Sequence, residues 1–201
     1  MRELIVCTFL TLDGVMQAPG APEEDKEGGF AFGGWQASYL DDVTSSAIAA
    51  FMDKPFDLLL GRKTYDIFAG YWPNHVDGPI GRKFSAATKY VASRGAPTLP
   101  WERSVGLEGD VARSVAHLKA QDGPELQVYG SGDLVQTLRA HDLIDRYLLW
   151  IHPVVVGSGK RLFPEGTVPG ALRLVESRVS TTGVIIGTYE PAGNVVTGTI
   201  E

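Results

Sequence analysis

Short runs rich in Leu, Ile and Val alternate with segments of helical period along most of this chain, and the alternation stops near residue 140. The runs Leu4–Leu10, Asp57–Leu60, Lys89–Ser93, Leu126–Tyr129, Tyr147–Val156, Ala171–Arg178 and Val184–Tyr189 read as strands. Between the early ones, Val43, Ala47 and Phe51 fall at i, i+4 and i+8, with Ile48 beside them. Val111, Val115 and Leu118 repeat that spacing, Leu134 and Leu138 make a shorter stripe, and Thr64–Ala69 reads as a further short helix. Strand followed by helix, repeated, predicts a mainly parallel sheet with helices on its faces. The last third differs. There Ala171–Arg178 meets Val184–Tyr189 through Ser180-Thr181-Thr182-Gly183, which predicts an antiparallel hairpin. The expected fold class is therefore α/β, three-layered, with a mixed, mostly parallel sheet and a C-terminal antiparallel hairpin.

At 201 residues, with no repeat and no Pro/Gly/Ser linker, the chain reads as a single domain, 1–201, with a tail over 191–201. Its 18 basic and 24 acidic side chains give a net charge of -6, which argues against bulk attraction to nucleic acid or anionic lipid. Leu4–Leu10 is too short to span a membrane. A single cysteine, Cys7, excludes an internal disulfide and any zinc site of several thiolates, and makes a reducing cytoplasm the expected compartment. His75, His117, His141 and His152 form no close pair, so no metal is expected, and His152 reads as a satisfied core histidine. The stretch Ala18–Gly34 is rich in Gly, Pro and acids and reads as a long loop. A lid and a solvated insertion are both open readings of it.

No G-x-S-x-G, H-E-x-x-H or Walker motif is present. What the chain does carry is a set of turns at strand ends. Leu58-Leu59-Leu60 runs into Gly61, and a helix follows with Arg62, Lys63 and Thr64 in its first turn. Free N–H groups, the positive dipole end, two cations and a hydroxyl make an anion site there. The alternative is a glycine turn followed by a solvated basic pair. Leu126–Tyr129 feeds a second helix through Gly130-Ser131-Gly132-Asp133. Glycines let backbone approach a ligand closely, although Asp133 also suits a plain helix start. The third strand end is Val91-Ala92-Ser93-Arg94, a hydroxyl and a guanidinium fork. In an open α/β sheet, ligands sit at the carboxyl ends of parallel strands, and three such ends along one edge suit a ligand with several phosphates.

Thr11-Leu12-Asp13-Gly14, Gly61-Arg62-Lys63-Thr64-Tyr65, Val91-Ala92-Ser93-Arg94 and Gly130-Ser131-Gly132 resemble, in order, motifs of the dihydrofolate reductase-like superfamily. The stretch from Leu143 to Tyr147 and the stretch His152-Pro153-Val154-Val155-Val156-Gly157-Ser158-Gly159-Lys160-Arg161-Leu162-Phe163 resemble the C-terminal reductase domain of bacterial bifunctional riboflavin deaminase-reductases and its stand-alone relatives. The resemblance covers roughly residues 3–190. It implies NADPH bound in extended form. Gly61, Arg62, Lys63 and Thr64 would hold phosphate, and Ser93 and Arg94 would meet the 2'-phosphate. Gly130, Ser131, Gly132 and Asp133 would pack on the pyrophosphate, while the segment Thr11–Val15, with Thr11, Asp13 and Gly14, would lie along the nicotinamide and its ribose.

The implied activity is hydride transfer to a C=N or C=O of a small heterocyclic or ribosyl substrate, as in 5-amino-6-(5-phosphoribosylamino)uracil reduction. A dihydrofolate or pteridine-type reductase and a nucleotide-binding module without catalysis stay open as alternatives. With one cysteine, the zinc deaminase half has no counterpart here. Asp42 or Asp41 is the expected catalytic carboxylate, although both also suit a helix's first turn. Trp35 and Tyr39, at the end of the long loop, and Lys160 and Arg161 are the expected substrate contacts. A homodimer through the strand Tyr147–Val156 and the ribbon after it is expected.

Overall fold

The computed structural model describes residues 1–200. Eight strands form one sheet: β1 (Leu4–Thr11), β2 (Phe56–Gly61), β3 (Lys89–Ala92), β4 (Ser104–Leu107), β5 (Glu125–Val128), β6 (Arg146–His152), β7 (Leu172–Val179) and β8 (Ile185–Pro191). Their order is β4-β3-β2-β5-β1-β6-β8-β7. The six strands from β4 to β6 are parallel, whereas β8 runs antiparallel to both β6 and β7. The five helices are α1 (Asp42–Phe51), α2 (Arg62–Tyr71), α3 (Pro79–Ala86), α4 (Val111–Ala120) and α5 (Gly132–Ala140).

The chain moves one way across the sheet from β1 to β4 and the other way from β4 to β6. Right-handed crossovers then put α1, α2 and α3 on one face and α4 and α5 on the other. The strand alternation fits this. Leu58 and Leu60 pack with Ile48, Phe68 and Phe84, while Leu59 faces Val115, Leu118, Leu134 and Leu138. All three leucines are fully buried, and burial of each contributes roughly 1.5–3 kcal/mol. The direction of travel reverses where β5 inserts between β2 and β1, and in open α/β sheets ligands bind at the carboxyl ends of the strands near such a reversal.

The expected parallel core and C-terminal hairpin are both present. The hairpin turn closes with Gly183 N donating to Ser180 O (3.1 Å) and Ser180 N to Val184 O (2.9 Å), and Gly183 takes the positive φ of 84° that the turn needs. Three points differ from expectation. β6 ends at His152, because Pro153 has no N–H to give the ladder. β4 is an edge strand of four residues containing Gly106, with too little pattern to read. α3 starts on Pro79 and buries only Gly81 and Phe84, so its stripe is also thin. Cys7 is buried, and burial pushes its thiol pKa up, so it behaves as a small apolar side chain.

Candidate functional site

Two glycine turns meet at this carboxyl edge. Gly61 ends β2 and is the N-cap of α2, and Ser131 is the N-cap of α5, just past β5. Neither cap donates or accepts a side-chain hydrogen bond to the helix it opens. By contrast, α1 and α4 are capped by the carboxylates of Asp41 and Asp110. The first N–H groups of α2 and α5 are thus left for an outside acceptor, with both dipoles adding positive potential.

The two turns lie against each other. Gly61 N donates to Gly130 O at 3.1 Å. A Cβ on Gly61 would come within 2.9 Å of Ser131 N and 3.0 Å of Ser131 Cβ, and one on Gly130 within 2.7 Å of Thr64 Oγ1. Gly130 has φ +149°, which side-chain-bearing residues rarely adopt, and the Gly130–Ser131 peptide bond is cis. Met16 reaches in from the first loop, with its Sδ 3.7 Å from the Cβ position of Gly132. Asp133 is exposed in the first turn of α5.

The third expected end is on the same edge, since β3 is the parallel neighbour of β2. Ser93 follows β3 half-buried, Arg94 is exposed, and Ser93 Oγ donates weakly to Arg94 O at 3.4 Å. The carboxyl ends of β3, β2 and β5 therefore stand side by side in that order. Arg62 is partly exposed and its Nε bonds both oxygens of Asp66 at 2.9 Å.

The loop after β1 is tied to the segment after β6. Thr11 Oγ1 donates to Asp13 Oδ1 (2.6 Å) and accepts from Val15 N (2.9 Å). The Asp13 carboxylate also accepts from Val156 N (3.3 Å) and Gly157 N (2.9 Å), and Arg161 stands 3.5 Å from it. The Thr11 hydroxyl first, then those amides, lower the Asp13 pKa to about 2. Val15 bridges Arg161, Met16 N donates to Lys160 O (2.8 Å), and Leu162 N donates to Gly14 O (3.2 Å). Gly14 sits at φ +81°, as the tight turn requires.

Trp35, Tyr39 and Asp41, expected as substrate contacts and acid, all have partners within the chain. Trp35 is buried, with Nε1 donating to Gln17 O (2.9 Å) and its ring edge-on to His152 at 5.0 Å. It anchors the loop end. Tyr39 stacks edge-on to the same histidine at 5.7 Å. His152 is a core residue, as read. Its Nδ1 lies 3.2 Å from Leu10 O and 3.1 Å from Trp150 O, and burial pushes its pKa down.

Asp41 caps α1 through Thr44 N (2.8 Å) and grips the hairpin turn, accepting from Thr181 N and Oγ1 (both 2.7 Å) and Thr182 N (3.2 Å). These donors, Thr44 N foremost, hold its carboxyl far below the usual range. These hydrogen bonds make Asp41 a clamp between α1 and the hairpin turn. Asp42 is exposed in the first turn of α1 and makes no hydrogen bond among the described residues.

Lys160 is engaged by the long loop, with its Nζ 2.7 Å from Asp25 Oδ2 and 2.6 Å from Glu27 Oε2. Lys63 approaches the same carboxylates at 3.8 and 3.4 Å. The acids at 25 and 27 are functional candidates that the sequence reading passed over. The only hint there was acid enrichment in a loop that also holds glycine and proline. An open cleft of about 630 Å³ lies here, lined by Asp25, Glu27, Lys63 and Asp66 among others. Among the described residues no group of three or more His, Cys, Asp or Glu is placed to hold a metal ion.

The architecture is shared with solved structures. A Shewanella sp. PV-4 protein named for riboflavin biosynthesis superposes with TM-score 0.72 at 23% identity, covering 94% of this chain and 99% of that one. A pyrimidine reductase-like protein from Corynebacterium diphtheriae NCTC gives TM-score 0.58 at 10% identity, covering 96% and 93%. Dihydrofolate reductase from Enterococcus faecalis, complexed with NADP(H), gives 0.57 at 13%, covering 94% and 96%. At such identities these neighbours establish the fold.

By sequence, the chain is 29% identical over 139 residues to the protein YyaP of Bacillus subtilis (strain 168), covering 67% of this chain and 73% of that protein. It is 31% identical over 121 residues to YwjB of the same organism, covering 58% of this chain and 63% of that protein, a little under two thirds of YwjB. The model of the RibD C-terminal domain matches residues 2–186. With the rim described above, that match points to chemistry of the reductase type, and the chain belongs to the RibD C-terminal domain family.

Proposed function

We propose that this chain is an NADPH-dependent reductase of a small heterocyclic or ribosyl substrate. One observation carries the reading. Two neighbouring helix N-termini without side-chain caps meet at the carboxyl edge, packed so closely that a Cβ at either glycine would collide. That rim fits a pyrophosphate, with the N–H groups opening α2 and α5 as donors. Arg62 adds charge, and Ser93 with Arg94, one strand along, offers the equipment for a 2'-phosphate.

When bound, the dihydronicotinamide supplies a hydride to a polarised C=N or C=O carbon. The chain's own residues orient and exclude. Thr11, Asp13 and the Gly157 amide fix the first loop against the segment after β6. The end of loop 18–34, anchored by Phe30 in an apolar cluster with Val15 and Trp35, shields the rim from water. No side chain is assigned here as the acid, since Asp13 and Asp41 are both held ionised. That same commitment favours a second reading, a nucleotide-binding module without turnover.

Calorimetry with NADP+ and NADPH oxidation on a panel of pterins, aminouracil ribosyl compounds and simple carbonyls separate the two. Turnover on any one supports the reductase. Binding with no turnover on all supports the module, and no binding removes both. Arg62→Ala should weaken NADP+ roughly tenfold or more, as expected for one charge-assisted hydrogen bond.

Two further parts of the proposal concern assembly and place. β7 is the sheet's outer strand, and all of its residues after Leu172 are exposed, including Leu174, Val175 and Val179. An open apolar edge supports a homodimer, which light scattering reads directly. A buried free thiol and the absence, among the described residues, of any helix long and apolar enough to cross a membrane support a cytoplasmic enzyme.

A further inference from the structure

Loop 18–34 is anchored at its ends by Ala18 and Phe30 in an apolar cluster with Val15 and Trp35, and the stretch between them is held by charge. Of the residues from Pro19 to Gly29, only Asp25 is buried, and its carboxylate is ion-paired with Lys160. Glu27 makes the second contact to Lys160 and the nearer one to Lys63. Gln17 threads the arrangement. Its Nε2 donates to Asp25 O (3.2 Å) and Glu27 O (3.0 Å), and its Oε1 accepts from Lys160 N (3.0 Å). The two lysines come from distant parts of the chain, Lys63 from the first turn of α2 and Lys160 from the segment bridged to the first loop. What they share is one pair of carboxylates over the open cleft.

Carboxylate and phosphate are interchangeable partners for an ammonium, but a phosphate brings more charge and a third oxygen. We propose that Asp25 and Glu27 stand in for phosphate. They occupy Lys63 and Lys160 in the ligand-free chain, and a phosphate-bearing ligand displaces them and frees residues 19–29. The inference rests on the reading that this rim takes a phosphorylated ligand, and adds that the rim is latched by the chain itself. A latch lowers apparent affinity by the fraction of molecules in which it is closed. Removing it must therefore tighten binding, whereas loss of a merely structural contact would loosen it.

The test compares wild type, Glu27→Gln and Asp25→Asn/Glu27→Gln at matched ionic strength. Glu27 is exposed, so the single variant keeps the fold intact. The probes are NADP+, whose phosphates are those of a coenzyme, and ribose 5-phosphate, which has no nicotinamide. Without ligand, hydrogen exchange over residues 19–29 should speed at least threefold in both variants. Affinity for at least one probe should rise about three- to tenfold. Unchanged or weaker affinity for both probes, or loop exchange equal to wild type, overturns the latch. Tightened ribose 5-phosphate binding in a protein that ignores NADP+ keeps the latch and removes the coenzyme reading. NADP+ binding that neither variant alters, with ribose 5-phosphate affinity also unmoved, does the reverse.

Discussion

Gly61→Ala adds one methyl group at the tightest contact of the rim. The backbone there is extended, with φ -69° and ψ 155°, which alanine adopts without strain. The whole effect is therefore steric. The new carbon would stand 2.9 Å from Ser131 N and 3.0 Å from Ser131 Cβ, with the Ser131 hydroxyl nearer still. Two of those atoms are backbone or backbone-fixed, so either the end of β2 or the start of α5 must shift. Inserting a methyl group into such packing costs about 1–3 kcal/mol. The shift also parts the two helix N-termini that the proposed site uses together.

Gly70→Ala is the matched control. It lies in the same helix, and its Cβ meets nothing within 4 Å. Relief of glycine's conformational freedom should stabilise that variant by about 0.5–1 kcal/mol. Urea unfolding gives both stabilities, and the slope checks that the unfolding transition itself is unchanged. Calorimetry gives NADP+ affinity, which Gly61→Ala should reduce and Gly70→Ala should leave alone. A Gly61→Ala protein as stable as wild type refutes the packing argument, and one that is destabilised but binds NADP+ normally refutes the link from packing to site.

Asp41→Asn should lower the thermal midpoint at neutral pH, since it weakens the α1 cap and the hairpin grip at once. Because the folded-state pKa of Asp41 is depressed, its contribution is present above the ordinary carboxylate pKa and lost as pH falls, so the variant should also show a shallower acid loss of stability. Lys89 is buried at the start of β3, over the Trp101 ring at 4.3 Å, with Nζ donating to Ser85 O (2.9 Å) and Glu102 O (3.1 Å). Burial lowers its pKa to about 8. Between that value and the ordinary lysine value of 10.5 the unfolded chain binds more protons at this residue, so the contribution of Lys89 to stability should rise with pH across this window, and the difference between wild type and Lys89→Met should grow accordingly. Denaturant titrations at stepped pH read both effects.

Gly61 and Gly130 are legible in the sequence because only a strand, a glycine and then a helical stripe produce that pattern. Topology then brings them together, since parallel strands with right-handed crossovers leave every such turn on one edge. The hairpin at Ser180–Gly183 is legible for the same local reason. Roles that depend on pairing across the chain are not. Asp41 looks like any first-turn acid until Thr181 and Thr182, 140 residues away, fill its second oxygen. Trp35 looks like a loop aromatic until His152 and Gln17 enclose it. Lys160 and Asp25 are 135 residues apart, so no spacing could disclose that one neutralises the other. β4 and α3 were out of reach because four and eight residues carry too little periodicity to register.

A crystal structure with NADP+ at saturating concentration tests the central claim most directly. The account predicts density lying across the carboxyl ends of β3, β2 and β5, with the pyrophosphate on the first amides of α2 and α5 and the adenosine phosphate beside Ser93 and Arg94. Density elsewhere on the molecule, or a rim left bare at saturation, would contradict it.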